Sequence, residues 1–116
     1  MQNLDQRRAA HAIDEASKTD RASVAKLPGM ILTNGLLATL AFATEEGKEP
    51  RKKMRAAADS IAQHLTKTIP EIGGASSGQA LGTALAKGSD LTLQRATTEA
   101  LAYLVYLKRY AAPKQA

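Results

Sequence analysis

The stretch KLPGMILTNGLLATLAFATEEGK, residues 26–48, is the most apolar part of the chain and decides its fold. It is too long for a single strand, and polar residues interrupt it too often for a membrane span of about 20 apolar residues. Leucines recur in it at helical spacing, while Ile31 and Phe42 add apolar surface on the other side. A helix that is apolar nearly all round is surrounded by other helices. The stretch therefore predicts the central helix of a helical bundle.

Three residues, Thr33, Asn34 and Gly35, interrupt the middle of this predicted helix. Gly35 with the small residues Ala38 and Thr39 predicts a low strip where a neighbouring backbone approaches closely. A buried Asn34 amide must find hydrogen-bond partners, because leaving it unsatisfied costs about 1–3 kcal/mol. We interpret Asn34 and Gly35 as a close-packing device within the bundle. The alternative is that Asn34 lies at a contact between subunits.

The composition predicts an all-α fold built as one compact bundle. The chain has 116 residues, of which 44% are hydrophobic, and alanine and leucine, the best helix formers, dominate that fraction. The absence of cysteine excludes disulfides and thiolate metal sites and fits a cytoplasmic protein. The N-terminus is charged and lacks the apolar region of a signal peptide. We expect a single helical domain over residues 1–116, with the last few residues forming a flexible tail.

Turn signals divide the chain into about five predicted helices. The first covers about residues 3–17, with a weak apolar face formed by Ala9, Ala12, Ile13 and Ala16. The second begins near residue 21 or near Pro28, since proline is tolerated in a first turn. It runs to about residue 46, where a glycine follows as a stop signal.

The other three predicted helices have clearer patterns. The third begins at residues 49–50, and its apolar residues recur at helical spacing. Ser76 and Gln79 have capping-box spacing for a short fourth helix that Gly88 closes. Ser89 or Asp90 caps the fifth, which runs from residue 91 to about 112. The predicted core stripes are Met54, Ala57, Ala58, Ile61 and Leu65 in the third helix, and Leu93, Ala96, Ala100, Leu104 and Leu107 in the fifth.

No motif for catalysis or cofactor binding stands out. The two histidines, His11 and His64, are too few for a metal site, and we interpret both as structural or solvated. His11 falls opposite the apolar face of the first helix. The carboxylates show no spacing that would bring them together. The glycines of IGGASSGQALG lack the lysine and the preceding strand of a phosphate loop. We therefore expect a protein that is not an enzyme and holds no metal or cofactor.

Basic residues are concentrated at two places in a chain of net charge +5. Arg51, Lys52, Lys53 and Arg55 lie in the first turns of the third helix, where the helix dipole disfavours cations. These side chains are either a solvated charged face or contacts to a phosphate backbone, and both interpretations stay open.

The second basic place is the outer face of the fifth helix. Helical spacing puts Arg95, Glu99, Tyr106 and Arg109 on one stripe. An aromatic ring between two arginines suits stacking on a base or anchoring a protein interface. The alternative is that Tyr106 packs against the first or third helix, while Arg95 pairs with Glu99 four residues later.

Residues 26–48 and the segment RATTEALAYLVYLKRYA, residues 95–111, together resemble a known family. They are similar to the two signature segments of the small α-helical subunit of the type III-B CRISPR RNA-targeting effector, the Cmr complex. The first segment matches at Leu27-Pro28, Ile31 to Leu36, Leu40 to Phe42, and Lys48. The second matches at Arg95, Thr97, Glu99, Leu101, Tyr106, Lys108 to Tyr110, and Ala111. Tyr106 departs from the family, which often has tryptophan there.

The resemblance implies an all-helical, non-catalytic subunit that acts inside a larger assembly. In that family several copies stack as a minor filament beside the backbone subunits that hold the guide RNA, and they bridge towards the large polymerase-like subunit. The implied partners are those subunits, further copies of the chain, and the backbones of guide and target RNA.

Joining this resemblance to the basic faces gives a set of candidate contact residues. Guide pairing reads the target sequence, so such a subunit needs to contact phosphates and not base edges. The alternative is a stand-alone helical nucleic-acid-binding or adaptor protein, although IPEIGGASSGQALGTALAKG has the wrong charge for a recognition helix. We expect RNA-backbone or partner contacts at Lys26, Arg51, Lys52, Arg55, Arg95, Tyr106, Lys108 and Arg109.

Overall fold

A computed structural model describes residues 1–113 of the chain, and within them all regular structure is helical. The prediction of an all-α fold is confirmed. Residues 1–113 contain six α-helices of eight or more residues and one of five, whereas about five helices were expected. They are α1 (Leu4–Glu15), α2 (Arg21–Ala25), α3 (Leu27–Asn34), α4 (Leu36–Ala43), α5 (Glu49–Thr68), α6 (Gly78–Ala86) and α7 (Asp90–Tyr110), with 3₁₀ turns at Ala16–Lys18 and Pro70–Ile72.

The predicted second helix is three helices, and the prediction of one continuous helix is wrong. Lys26 separates α2 from α3, and Pro28 follows in the first turn of α3. Gly35 then separates α3 from α4 with φ 90° and ψ 162°, a conformation essentially restricted to glycine. The helical part of this stretch also ends earlier than the expected residue 46. Helix α4 stops at Ala43, and Thr44 is its C-cap.

The interpretation of Asn34 and Gly35 as a close-packing device inside the domain is wrong. Both residues are exposed, and a Cβ atom added at Gly35 would meet no atom of another part of the fold within 4 Å. The glycine is needed for its backbone conformation and not for its small size. Thr39 secures the restart of the helix, since its hydroxyl donates to the Gly35 carbonyl at 2.8 Å. Whether Asn34 contacts another subunit stays a prediction.

The two long helices, α5 and α7, carry the core as their periodicity predicted. All five residues of the expected α5 stripe are buried, and in α7 the four from Ala96 onward are buried while Leu93 is half-buried. α7 packs against α1, α2, α3 and α5, so it is the common partner of most of the bundle. Leu36 and Leu40 of α4 and Leu81 of α6 complete the apolar interior.

Serine side chains begin the last two helices. Ser89 accepts a hydrogen bond from the Thr92 amide at 3.1 Å and is the N-cap of α7, which confirms one of the two expected caps. For α6 the N-cap is Ser77, which accepts from the Ala80 amide, and not the expected Ser76. The predicted flexible tail falls on residues 114–116, outside the described part of the chain. Among residues 1–113, no helix has the length and apolar character needed to cross a membrane.

Replacing Gly35 by alanine tests the origin of the break between α3 and α4. We expect Gly35→Ala to lower the free energy of unfolding by about 1–3 kcal/mol, because alanine is strained at this backbone conformation. The matched control is Gly29→Ala inside α3, where there is also no atom within 4 Å of the added carbon. The control should gain about 0.5–1 kcal/mol, since alanine is the better helix former. Urea denaturation measures both changes, and equal effects would contradict the assignment.

Candidate functional site

Helix α1 is held against α5 and α7 largely by polar side chains. Within α1 only Ala12 and Glu15 are buried, and Ile13, which we expected in the core, is 55% exposed. The prediction for Ile13 is wrong because the face of α1 that meets the bundle also carries Arg8 and Glu15. The expected burial of Ala12 is confirmed.

The carboxylate of Glu99 in α7 is the centre of this contact. Arg8 of α1 donates to both of its oxygens, from Nε to Oε2 at 2.7 Å and from Nη2 to Oε1 at 2.8 Å. His64 Nε2 of α5 lies 2.8 Å from Oε2. Such bidentate, charge-assisted hydrogen bonds are among the strongest in proteins and fix geometry. One buried carboxylate therefore joins three helices.

The prediction that Glu99 lies on the outer face of α7 is wrong, and so is its alternative pairing with Arg95. Only 7% of Glu99 is exposed, and Arg95 Nη1 instead donates to Glu71 at 3.1 Å. A charged residue at the edge of a helical stripe is normally solvated. Glu99 is buried because Arg8, 91 residues away in sequence, compensates its charge.

Tyr103 and both histidines lie beside Glu99. The rings of His64 and Tyr103 stack with centroids 4.6 Å apart and planes at 10°. The Tyr103 hydroxyl lies 2.7 Å from His11 Nδ1, and we assign it as the donor to a neutral His11 ring. Both histidines are thus structural, one of the two roles expected for them. His11 faces Tyr103, so its predicted position opposite the buried face is wrong.

The charges of the network follow from its surroundings. Burial lowers the pKa of both His11 and His64 below the usual value. Burial alone would raise the pKa of Glu99, but the hydrogen bonds from Arg8 and His64 outweigh it and leave the pKa below the usual value. At neutral pH Glu99 is therefore ionised and the histidines are neutral. Because the carboxylate only accepts, His64 Nε2 carries the hydrogen that it donates.

A second buried carboxylate, Glu15, extends the contact between α1 and α5. Ser60 of α5 donates to Oε1 at 3.1 Å, and Lys18 donates to Oε2 at 2.7 Å. Burial again acts to raise the pKa, but these two partners outweigh it, so the pKa of Glu15 is lowered. Among the described residues, no fully buried side-chain polar atom lacks a hydrogen-bond partner. The polar atoms of this network are directed at one another, and its evident role is to hold α1 in place.

Two of the predicted contact residues, Arg51 and Arg55, bind the C-terminal end of α4. Arg51 Nη2 donates to the Phe42 carbonyl at 2.6 Å and to Glu45 at 2.8 Å, and its guanidinium lies 3.9 Å from the centroid of the Phe42 ring. Arg55 donates to the Thr44 carbonyl at 2.8 Å. Helix ends leave such carbonyls without intrahelical partners. The cations at the start of α5 therefore stabilise the neighbouring end of α4.

Lys52 and Arg95 are exposed and form surface ion pairs. Lys52 Nζ lies 3.1 Å from Glu49 Oε1, and Arg95 Nη1 lies 3.1 Å from Glu71 Oε2. The Arg95 side chain is 48% exposed and the Glu71 side chain is 51% exposed. Ion pairs of this kind contribute about 0–1 kcal/mol, so a phosphate can replace the carboxylate at small cost.

Lys26, Lys108 and Arg109 are exposed and form no hydrogen bond or ion pair through their side chains within residues 1–113. Lys108 and Arg109 lie in the last turn of α7.

Tyr106 is half-buried and packs against the core. Burial and the Asp5 carboxylate of α1 raise its pKa, which places the ring on the α1 side of α7. This position agrees with the expected alternative in which Tyr106 packs against the first helix.

A family model described as CRISPR-associated protein (Cas_Cmr5) matches residues 4–113. The chain belongs to this family. It is therefore a CRISPR-associated Cmr subunit of type III-B systems. No curated protein and no solved structure gives a significant match.

The match to the Cas_Cmr5 family spans all seven α-helices and not only the two segments that carried the resemblance. In the structure the first of those segments forms α3 and α4, and the second lies in α7. Periodicity alone did not reveal the Glu99 network, which joins α7 to α1 and α5. Among the described residues, no group of three or more His, Cys, Asp or Glu side chains is arranged to hold a metal ion.

Neutralising Glu99 tests the importance of the network for stability. We expect Glu99→Gln to lower the free energy of unfolding by about 3 kcal/mol, the lower end of the range for removing one partner of a buried ion pair. The lower end applies because the Arg8 side chain keeps 18% exposure. Glu71→Gln, which breaks the exposed pair with Arg95, should cost less than about 1 kcal/mol. Chemical denaturation compares the two variants, and similar losses would contradict the account.

The lowered histidine pKa values predict a loss of stability on mild acidification. Unfolded histidines titrate near pH 6.5, so unfolding takes up protons below that pH, and the free energy of unfolding falls as the pH drops from about 7.5 to about 5.5. The chain has two histidines, so the double variant His11→Gln/His64→Gln should lose most of this slope. Urea titrations at the two pH values measure it. A wild-type stability that stays constant or rises on acidification would contradict the assignment of neutral, buried rings.

Proposed function

We propose that this Cmr subunit is a non-catalytic structural component of the effector. It forms the minor filament beside the backbone subunits and helps to hold the guide–target RNA duplex during antiviral defence in the cytoplasm. Its partners are the backbone subunits, the large polymerase-like subunit and further copies of itself. The observation that carries the proposal is the exposed cationic end of α7, where Lys108 and Arg109 have no side-chain partner among the described residues.

The position of these two cations suits binding to a phosphate backbone. Both lie in the last helical turn, where the dipole favours positive charge. They are therefore well placed without a carboxylate partner and remain available to an anion. Arg95 lies on the same helix, where it competes with a phosphate only through the weak ion pair with Glu71, among the residues that the structure describes. Together the three side chains support sequence-independent contacts with RNA, as guide pairing requires.

The other predicted contact residues contribute in different ways. Lys26 at the junction of α2 and α3 is exposed, and we rank it second to α7. Lys52 of α5 is a further exposed cation. Arg51 and Arg55 make intramolecular contacts with α4, so the proposal does not depend on them.

Exposed apolar side chains support contacts with protein subunits. Leu32 of α3 is 75% exposed, Leu91 of α7 is 66% exposed and Val105 of α7 is 56% exposed. Apolar side chains at a protein interface gain stability when the partner covers them. The absence of activity is proposed because the clustered titratable groups around Glu99 serve one another as partners. Family membership favours this function over the stand-alone adaptor.

Reversing the charge of the α7 terminus tests the RNA contact. In reconstituted Cmr complexes, Lys108→Glu/Arg109→Glu should weaken retention of RNA and reduce the slope of log affinity against log salt concentration by about 1 for each lost phosphate contact. The matched control is Lys48→Glu/Lys87→Glu, which makes the same charge change at exposed sites outside α7. Filter binding at several salt concentrations measures retention. Equal losses in both variants, or no loss in complexes of normal subunit composition, would count against the α7 assignment.

A further inference from the structure

An open depression of about 630 Å³ lies between α3 and the junction of α4 with α5. Its volume is within the range of about 300–1,000 Å³ typical of small-molecule sites. The lining includes Met30 and Met54, with Phe42 and Arg51 on one side and Asn34 at the C-terminal end of α3. Apolar and polar groups thus converge in a recess that the Glu99 network does not use.

Phe42 and Arg51 form a stacked pair in this recess. The Arg51 guanidinium is held by the Phe42 carbonyl and Glu45, and it lies 3.9 Å from the centroid of the Phe42 ring. The pair is therefore ordered in advance, although 40% of Phe42 stays exposed. Aromatic rings and guanidinium planes are the surfaces on which unpaired bases stack in RNA-binding proteins.

The break at Gly35 leaves hydrogen-bonding groups at the rim of the same recess. Thr33 and Asn34 are exposed, and their side chains have no hydrogen-bond partner within residues 1–113. The asparagine amide offers a donor and an acceptor together, the combination that pairs with the edge of a base. These two polar residues thus stand in the middle of the most apolar stretch because they face this recess and not the core.

The charge of the recess indicates an anionic occupant. Lys26 and Arg51 line it, and among the described lining residues none is acidic. The carboxylate of Glu45, which pairs with Arg51, is thereby engaged. The Lys26 ammonium has no partner of its own within residues 1–113. An apolar side chain of a partner protein would leave this cation and the Asn34 amide unsatisfied, whereas a nucleotide supplies a flat apolar ring, polar edges and a phosphate.

We propose that this recess binds one unpaired nucleotide of an RNA strand. The base stacks at the Phe42–Arg51 pair, the Asn34 amide contacts the base edge, and Lys26 contacts the phosphate. The inference rests on the proposed contact of the subunit with RNA, and it adds a site for a single nucleotide that is formed by residues other than those at the cationic end of α7.

The composition of the chain supplies reporters for a direct test. Phe42 is the only phenylalanine, and Met30 and Met54 are two of three methionines. Full-length protein labelled with 4-fluorophenylalanine, or with ¹³C at the methionine methyl groups, is titrated by NMR with a single-stranded RNA tetranucleotide. The comparison ligands are an RNA duplex, inorganic phosphate and an apolar peptide. We expect saturable shifts at Phe42, Met30 and Met54 with the single strand, and much smaller shifts with the other three.

Two variants, read through the methionine signals, test the roles of the residues. Phe42→Leu should weaken binding of the tetranucleotide about fivefold, since stacking of one base on an aromatic ring contributes at least that factor. Asn34→Asp should also weaken binding, because it places a negative charge at the rim of the recess. The Asn34 side chain is exposed and has no hydrogen-bond partner within residues 1–113, so the substitution breaks no contact within the fold. Gln79→Glu in α6 makes the same charge change at another exposed position and should leave binding unchanged.

The outcomes separate this inference from the proposed function. If the RNA tetranucleotide gives no shift at Phe42, Met30 or Met54 at millimolar concentration, the nucleotide site is overturned while the α7 contact stands. Equal shifts with phosphate alone also overturn it, because the base then contributes nothing. A response to the apolar peptide but not to RNA identifies the recess as a protein-docking site instead. Equal losses in Asn34→Asp and Gln79→Glu would remove the role of Asn34.

Discussion

The buried carboxylate of Glu99 is the interaction on which the position of α1 depends. Helix α1 buries little apolar surface, with Ile13 exposed and Ala12 as its one buried apolar residue. Its attachment to α5 and α7 therefore relies on a carboxylate that accepts hydrogen bonds from Arg8 and His64. Taking these charges out of water is costly, and good geometry recovers that cost only when all partners are present. The contact thus favours one position of α1 over others.

The same arrangement explains how α7 can serve both the core and the surface. Its apolar stripe packs into the bundle, and Glu99 and Tyr103 join it to α1 and α5 at the edge of that stripe. Lys108 and Arg109 at its C-terminus remain exposed. A rigid helix held on several sides presents these cations in fixed positions. That geometry suits the proposed contact with RNA phosphates, which carry no sequence information.

The sequence predicted the parts of the fold that depend on regular periodicity. The core stripes of α5 and α7 followed from apolar residues at helical spacing over long helices. It did not predict the break at Gly35, because a single glycine in an apolar stretch is compatible with a continuous helix and with an interruption. Nor did it predict the burial of Glu99, because the compensating Arg8 is 91 residues away and helical periodicity carries no information about pairing between helices. The family was found from the residues of two segments, and the positions of Asn34, Phe42 and Arg51 in one recess became visible only in three dimensions.

In the proposed function, the assembled effector places RNA against this subunit at the C-terminal end of α7. The most direct measurement is ultraviolet cross-linking of RNA to protein in the Cmr complex purified through a tag on this chain, followed by mass spectrometry of the cross-linked peptides. We expect co-purification of the other Cmr subunits with guide RNA, and RNA cross-links on peptides that contain the C-terminal end of α7. Cross-links confined to the other subunits, or recovery of the chain without RNA, would contradict it.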